Sequence, residues 1–246
     1  MKTKLPPVVK KKFTRNIQRD QPHADLRGVT FAGLGCVGKD TIILALPSIL
    51  EPLSGRSWTP SSIGTHVCRK IADEQNPPMQ LKEFYERIAV DKNFYPGLDR
   101  KIDCAALEEC YKSASGEGPC IIMGSRMIPA LIHKRYLVAP RNPGRIMKIL
   151  FTCGEDESAR RMVKREFMKN KQRPPTEEEI AVHAPKAKED LQYRAHVDAT
   201  RFFEIYGIHD VLRPEYFDVV IPTDGLSAER QLELTCQAIF NFVPTD

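Results

Sequence analysis

One stretch of the sequence has the make-up of an anion cradle. Gly33-Leu-Gly-Cys-Val-Gly38-Lys39-Asp40-Thr41 nearly fits G-x-x-x-x-G-K-[ST], in which backbone N–H groups surround phosphate oxygens and the lysine reaches the β- and γ-phosphates. Glycine is demanded there because only a residue without Cβ lets the backbone turn this tightly and approach the anion closely. Gly33, Gly35, Cys36, Val37, Gly38, Lys39, Asp40 and Thr41 are therefore the candidate nucleoside-triphosphate site. Asp40 stands where Ser or Thr normally meets Mg²⁺, with Thr41 one place later. An acid at that position either ligates the ion through water or caps the helix that follows.

Basic residues supply the second candidate set. Arg194, Asp198 and Arg201 fall at i, i+4 and i+7, so a helix puts all three on one face. Arg161 and Arg165 lie i,i+4 in a segment crowded with further cations, Arg160, Lys164 and Lys169. Spacing alone describes salt-bridged surface faces, worth only ~0.3–0.5 kcal/mol per pair. His66 and His196 lie near these residues, but the spacings contain no metal signature.

The elements that must hold these residues alternate between strand and helix. Gly28–Ala32 reads as a buried strand ahead of the glycine loop, and Thr41–Leu50 as a helix that Pro47 bends or ends. Pro52–Gly64 reads as a Ser/Gly/Pro-rich loop in which Trp58 packs. Helical spacing follows over Val67–Glu74, Leu81–Val90 and Leu98–Tyr111, then strands at Pro119–Met123 and Ile146–Cys153. Glu155–Lys171 is a charged amphipathic helix, interrupted at Arg173-Pro174-Pro175, and Thr176 with Glu179 forms a capping box for the next helix. Phe217–Ile221 reads as a last strand and Ser227–Phe240 as a closing helix. This order predicts an α/β fold with a mainly parallel sheet.

Several segments resemble cytidylate kinases, especially the archaeal type. Arg194-Ala-His-Val-Asp198-Ala-Thr-Arg201-Phe-Phe-Glu-Ile-Tyr206-Gly207-Ile208 resembles that family's R-E-x-x-E/D-x-x-R-Y-x-x-Y-G-I-D, and Phe217-Asp218-Val-Val-Ile221-Pro-Thr223 its Y-D-L-V-I-x-T strand. Leu98-Asp99-Arg100-Lys101-Ile102-Asp103 is similar to I-D-R-x-I-D, Arg161-Met-Val-Lys-Arg165-Glu166 to the R-i-a-k-R-E lid pattern, and Cys68-Arg69-Lys70-Ile71-Ala72-Asp73-Glu74 to the F-R-x-l-A-x-E helix. The matches run in family order from about residue 28 to 240.

The resemblance implies a P-loop NTPase fold, a three-layer sandwich on a parallel sheet. It implies one kinase domain over 27–246, with an acceptor-binding helical insertion at 61–115 and an Arg-rich lid at 155–180. It implies ATP- and Mg²⁺-dependent phosphorylation of CMP or dCMP, with ATP and a nucleoside monophosphate as partners. Such transfer matches spread phosphoryl charge with preplaced cations rather than with covalent chemistry. By position these are Lys39, Arg161, Arg165, Arg194 and Arg201, with Arg69, Asp103, Arg126, Arg194, Asp198 and Arg201 at the acceptor and Thr41 and Asp40 near the metal. The chain departs from the family at Met123-Gly124-Ser125-Arg126, where Ser precedes the Arg. It departs again at Ile63-Gly64-Thr65, where a Ser-Gly pair is shifted, and at Ser158, which replaces a lid Arg.

Composition bounds the rest. Against 37 Lys and Arg stand 32 Asp and Glu, a net charge of +5. Seven cations (Lys2, Lys4, Lys10, Lys11, Lys12, Arg15, Arg19) precede the first acid, Asp20, so residues 20–246 carry −2 of that +5. Residues 1–26 are expected to form a basic, poorly ordered arm able to touch nucleic acid. No apolar run approaches the roughly 18 residues that span a bilayer, and the arm has no apolar signal core. Seven widely spaced cysteines with no C-x-x-C pair predict free thiols in a reducing, cytoplasmic setting. Two other functions fit the same residues: a kinase of another nucleotide or small metabolite, and a nucleotide-binding regulatory or RNA-associated module, degenerate at Asp40 and Ser125, that works through the arm.

Overall fold

In a computed structural model of the chain, residues 22–61, 63–91, 95–134, 145–171 and 173–244 are described. The charged stretch of the arm lies outside them.

The first strand, β1 (Gly28–Ala32), is buried along its whole length, as a parallel strand covered on both faces must be. It is the middle of a five-stranded sheet of order β2-β3-β1-β4-β5, formed with β2 (Trp58–Pro60), β3 (Cys120–Gly124), β4 (Ile146–Thr152) and β5 (Val219–Pro222). Every pairing is parallel, and Gly28 is in register with Ile121 of β3 and Ile146 of β4. The expected α/β fold with a parallel sheet is therefore what forms.

Side-chain alternation assigns the layers. Val29, Phe31, Ile122, Met147, Ile149 and Phe151 pack against α1 (Lys39–Ala45), α2 (Pro47–Ser54) and α9 (Ala228–Asn241). Ile121, Met123 and Ile146 face the other way, onto α5 (Leu98–Ser115), α6 (Ile128–His133) and Phe202 near the end of α8 (Glu177–Tyr206). Two smaller cores stand beside this sandwich. One joins α3 (Ile63–Asp73) and α4 (Leu81–Val90) to α5 through Ile71, Phe84 and Ile102. The other joins α7 (Glu155–Lys171) to the first half of α8.

Three boundaries differ from the sequence reading. The expected helix Thr41–Leu50 is two helices, because Pro47 occupies the first turn of α2 after Leu46. The expected loop Pro52–Gly64 contains the end of α2, all of β2 and the start of α3. Trp58 is 1 % exposed and donates its indole N–H to Ser54 Oγ at 2.9 Å. A three-residue strand is too short to show alternation, and its Pro60 is tolerated because β2 is an edge. The last strand starts at Val219 rather than Phe217, since a 3₁₀ turn at Pro214–Tyr216 runs up to it. The capping box forms: Thr176 Oγ1 accepts from Glu179 N at 3.2 Å, and Glu179 Oε2 accepts from Thr176 N at 2.9 Å. The helix it starts runs 30 residues, through Pro185 to Tyr206, so the half that packs on α7 and the Arg194–Arg201 face share one rod.

The strand order decides where a ligand can sit. From β1 the chain moves out to β2, returns to β3, and then crosses to β4 on the other side of β1. Connections diverge at the carboxyl end of β1 and leave a crevice there. The loop after β1 and the turn after β3 both open on that end.

Candidate functional site

The glycine loop joins β1 to α1 in left-handed steps, with φ of +144° at Gly33, +64° at Cys36 and +90° at Gly38. A Cβ on Gly33 would lie 2.5 Å from the carbonyl oxygen of Phe151, so that position has neither the torsion nor the room for another residue. Lys39 opens α1, and its Nζ donates to the carbonyl oxygens of Gly33 and Leu34, each at 2.8 Å. An ammonium has three donors, and the loop carbonyls take two of them. Burial pushes the Lys39 ammonium down to about 8; the Arg126 guanidinium lowers it further, while Asp40 and Cys36 oppose the shift.

Cys36 sits at the loop tip. Burial pushes its thiol up, against Arg165, Lys39 and Arg194, whose charges pull it down. Three cations thus lie near enough to act on its charge. Cys36 also packs with Leu191 against the α7–α8 core.

The turn after β3 forms a second part of the crevice. Asp99, Ile102 and Asp103 from α5, Ser125, Arg126 and Met127 from the turn, and Asp198, Arg201 and Phe202 from α8 line a cleft of about 280 Å³. Arg126 donates to Asp198 Oδ2. Arg201 meets Asp198 Oδ1 at 3.0 Å and Asp99 Oδ1 at 3.1 Å, and lies over the Phe202 ring at 4.9 Å. Its Nε is buried without an acceptor among the described residues. Ser125 Oγ accepts the Met127 and Ile128 N–H groups at 3.2 Å each and so fixes the turn that leads into α6.

The sequence candidates separate into three groups. Arg126, Asp198, Arg201 and Asp103 share the cleft, and Lys39 is near enough for Arg126 to act on its charge. Arg165 and Arg194 are exposed and outside the cleft, and their charges reach the Cys36 thiol; Arg165 also pairs with Glu166 at 3.2 Å. Arg161, placed beside Arg165 by spacing, turns inward: it pairs with Glu157 at 2.8 Å and donates to both Thr223 Oγ1 and the Thr223 carbonyl oxygen. Those bonds tie α7 to the end of β5 and leave Arg161 only 19 % exposed. Arg69 is exposed on α3 and does not line the cleft. Ser158 is 2 % exposed and, with Leu34, Gly35 and Leu191, lines a separate cavity of about 220 Å³ beside the glycine loop.

Spacing missed Asp99 and Tyr206. Asp99 lay within a quoted motif, and its i,i+4 relation to Asp103 was the available signal. The Tyr206 hydroxyl donates to Asp103 Oδ2 at 2.9 Å, spanning from the last turn of α8 to α5. Burial, reinforced by the Asp99 charge, pushes the Asp103 carboxyl up to about 6, against the Tyr206 bond and Arg201. A carboxyl raised on folding holds its proton while the unfolded chain has lost it, so stability falls as pH rises from about 4 to 6. Thermal unfolding should therefore show a gain from pH 7 to pH 5 that Asp103→Asn removes, the variant being more stable than the parent at pH 7. Equal pH dependence in both chains would refute that burial cost.

Asp40 and Thr41 are both exposed beside the loop. They are oxygen donors of the hard type that Mg²⁺ takes in ones and twos alongside phosphate oxygens. Among the described residues no three His, Cys, Asp or Glu side chains converge on a metal position. All seven cysteines are free thiols, and no helix among the described residues is long and apolar enough to cross a membrane.

No protein-family model matches the chain, and no curated protein matches it. Among solved structures, an uncharacterized protein from Eubacterium ventriosum ATCC 27560 is similar at a TM-score of 0.49 and 10% identity, over 87% of this chain and 98% of that one. That likeness bears on neither family nor activity.

Proposed function

We propose that the protein is a nucleoside monophosphate kinase that moves the γ-phosphoryl of ATP to CMP or dCMP. One observation carries the reading. Arg126 links two half-sites, acting on the Lys39 charge at the glycine loop while sharing Asp198 with Arg201 in the cleft. A triphosphate on the loop and a monophosphate in the cleft would meet between these cations. An acceptor phosphate oxygen attacks the γ-phosphorus, its bond to the β-bridging oxygen breaks, and ADP leaves with that electron pair.

In this reading Lys39 meets the β- and γ-phosphates, Arg165 and Arg194 flank them, and Arg126 and Arg201 orient the acceptor phosphate. Arg suits that place because its planar fork matches phosphate oxygens bidentately and stays charged. The buried, unpaired Nε of Arg201 is a donor suited to such an oxygen. Asp198 and Asp103 suit the donor groups of a sugar and an aminopyrimidine. Arg161 acts through position alone, by holding α7 to Thr223. Asp40 or Thr41 would meet Mg²⁺ carried with ATP, and the ion would supply charge neutralisation on the phosphates.

An ADP-release assay over a panel of nucleoside monophosphates tests the proposal. Turnover confined to cytidine nucleotides is the expected result. Turnover on another acceptor keeps the chemistry and changes the substrate. No turnover, with salt-sensitive RNA affinity, would replace the kinase by an RNA-associated module.

The Lys39 ammonium adds a pH signature. A triphosphate binds the charged form, and free Lys39 loses its proton near pH 8. ATP affinity should stay level up to about pH 7.5 and then fall about tenfold per pH unit, with proton uptake on binding. Calorimetric titration in two buffers measures that uptake, and none at pH 8.5 would detach Lys39 from the phosphates.

A further inference from the structure

The closing helix α9 lies on the same face of the sheet as α1, sealed by Leu232, Cys236 and Ile239. Two polar side chains interrupt that buried stripe, Gln231 and Thr235, 3 % and 0 % exposed. Thr235 Oγ1 donates to the Gln231 carbonyl oxygen at 2.7 Å, a bond internal to the helix. Gln231 directs its side chain elsewhere. Its Nε2 donates to the Val37 carbonyl oxygen at 2.9 Å, across 194 residues of sequence. Its Oε1 stands 2.5 Å from where a Cβ on Gly38 would be. A buried amide is unfavourable at a core position unless it is hydrogen-bonded, and here its side chain reaches the glycine loop.

The bond falls on the peptide that converts loop into helix. Gly38 is the N-cap of α1, at φ +90°, and Lys39 follows it. Rotation of the Val37–Gly38 peptide would swing the N–H groups that a phosphate needs away from their common centre. We infer that Gln231 is a positioning residue of the glycine loop, fixing this peptide plane from beneath so that the loop amides converge before any anion arrives. The inference rests on the reading of the loop as a triphosphate site. Nothing in the phosphate-loop spacing itself points to α9.

The test compares the full chain with Gln231→Met, close in shape but without the amide, and with Thr235→Val, which alters the same buried stripe without touching the loop. Amide hydrogen exchange over residues 33–38 is read without nucleotide, and ATP affinity by titration. Gln231→Met should exchange faster in the loop alone and bind ATP about tenfold more weakly, the size expected for one buried hydrogen bond. Thr235→Val should do neither.

Gln231→Glu supplies a second variant should Gln231→Met fold poorly. Its protonated acid can donate to Val37 and its carboxylate cannot, so its ATP affinity relative to the parent should be higher at pH 6 than at pH 8. Loop exchange unchanged by Gln231→Met, or faster exchange with ATP affinity within twofold of the parent, overturns the positioning role. If the parent binds no ATP, the triphosphate reading falls, and the exchange comparison alone decides whether Gln231 holds the loop.

Discussion

Lys39→Ala is expected to lower phosphoryl transfer by about 10³, at the upper end of what one preplaced donor contributes, without unfolding the protein. Both halves follow from the burial of the ammonium. Its proton affinity drops from 10.5 to about 8 on folding, so the native state is penalised for carrying the charge. The sign follows directly: with the folded value below the unfolded one, the penalty is complete below about pH 8 and fades as pH rises toward 10.5. Its size is on the order of 3 kcal/mol at pH 7. Against it stand the two hydrogen bonds to the Gly33 and Leu34 carbonyls, about 1 kcal/mol each. Truncation should therefore leave the midpoint of thermal unfolding at or above the parent value while transfer is lost. Such a residue is held against the interest of stability, as functional charges commonly are. Near-normal turnover in Lys39→Ala would take the glycine loop out of the reaction.

Arg201→Ala should reduce turnover by roughly 10²–10³ and act on the acceptor rather than on ATP. Arg201 is the hub of the cleft: it joins Asp99 to Asp198 and aims a buried Nε without an acceptor. Its removal leaves Asp198 with Arg126, so the carboxylate is not stranded and the fold should persist. ATP binding at the loop should change little, because Arg201 is not among the groups that shift Lys39. Arg201→Lys should recover only part of the loss, since a point charge replaces a fork. Separate titrations with ATP and with CMP decide the matter. Equal weakening of both would mean that Arg201 supports the crevice as a whole.

Much of the fold was legible because its signals are local. The apolar run of β1, the glycines behind it, the capping box at Thr176 and the amphipathic pattern of α7 each depend on near neighbours in sequence. β2 was not legible, since three residues carry no period and its Trp58 reads as well in a loop. At the site, spacing put Arg194, Asp198 and Arg201 on one helix face, yet Asp198 and Arg201 line the cleft while Arg194 lies outside it, where its charge reaches Cys36. A 30-residue helix carries its face past both places. Arg161 shows the same limit from the other side: i,i+4 spacing pairs it with Arg165, while packing sends it to Thr223.

By itself, then, the sequence determined the α/β class, the left-handed glycine turns of the loop and the lysine that opens α1. These depend on backbone sterics and short periods, which any reader of the chain can count. Only the tertiary structure decided which cations face one another, that Arg161 is a tie rather than a free donor, and that Gln231 reaches the loop from the far end of the chain. Those outcomes depend on burial and on contacts across 62 and 194 residues, which no local pattern encodes.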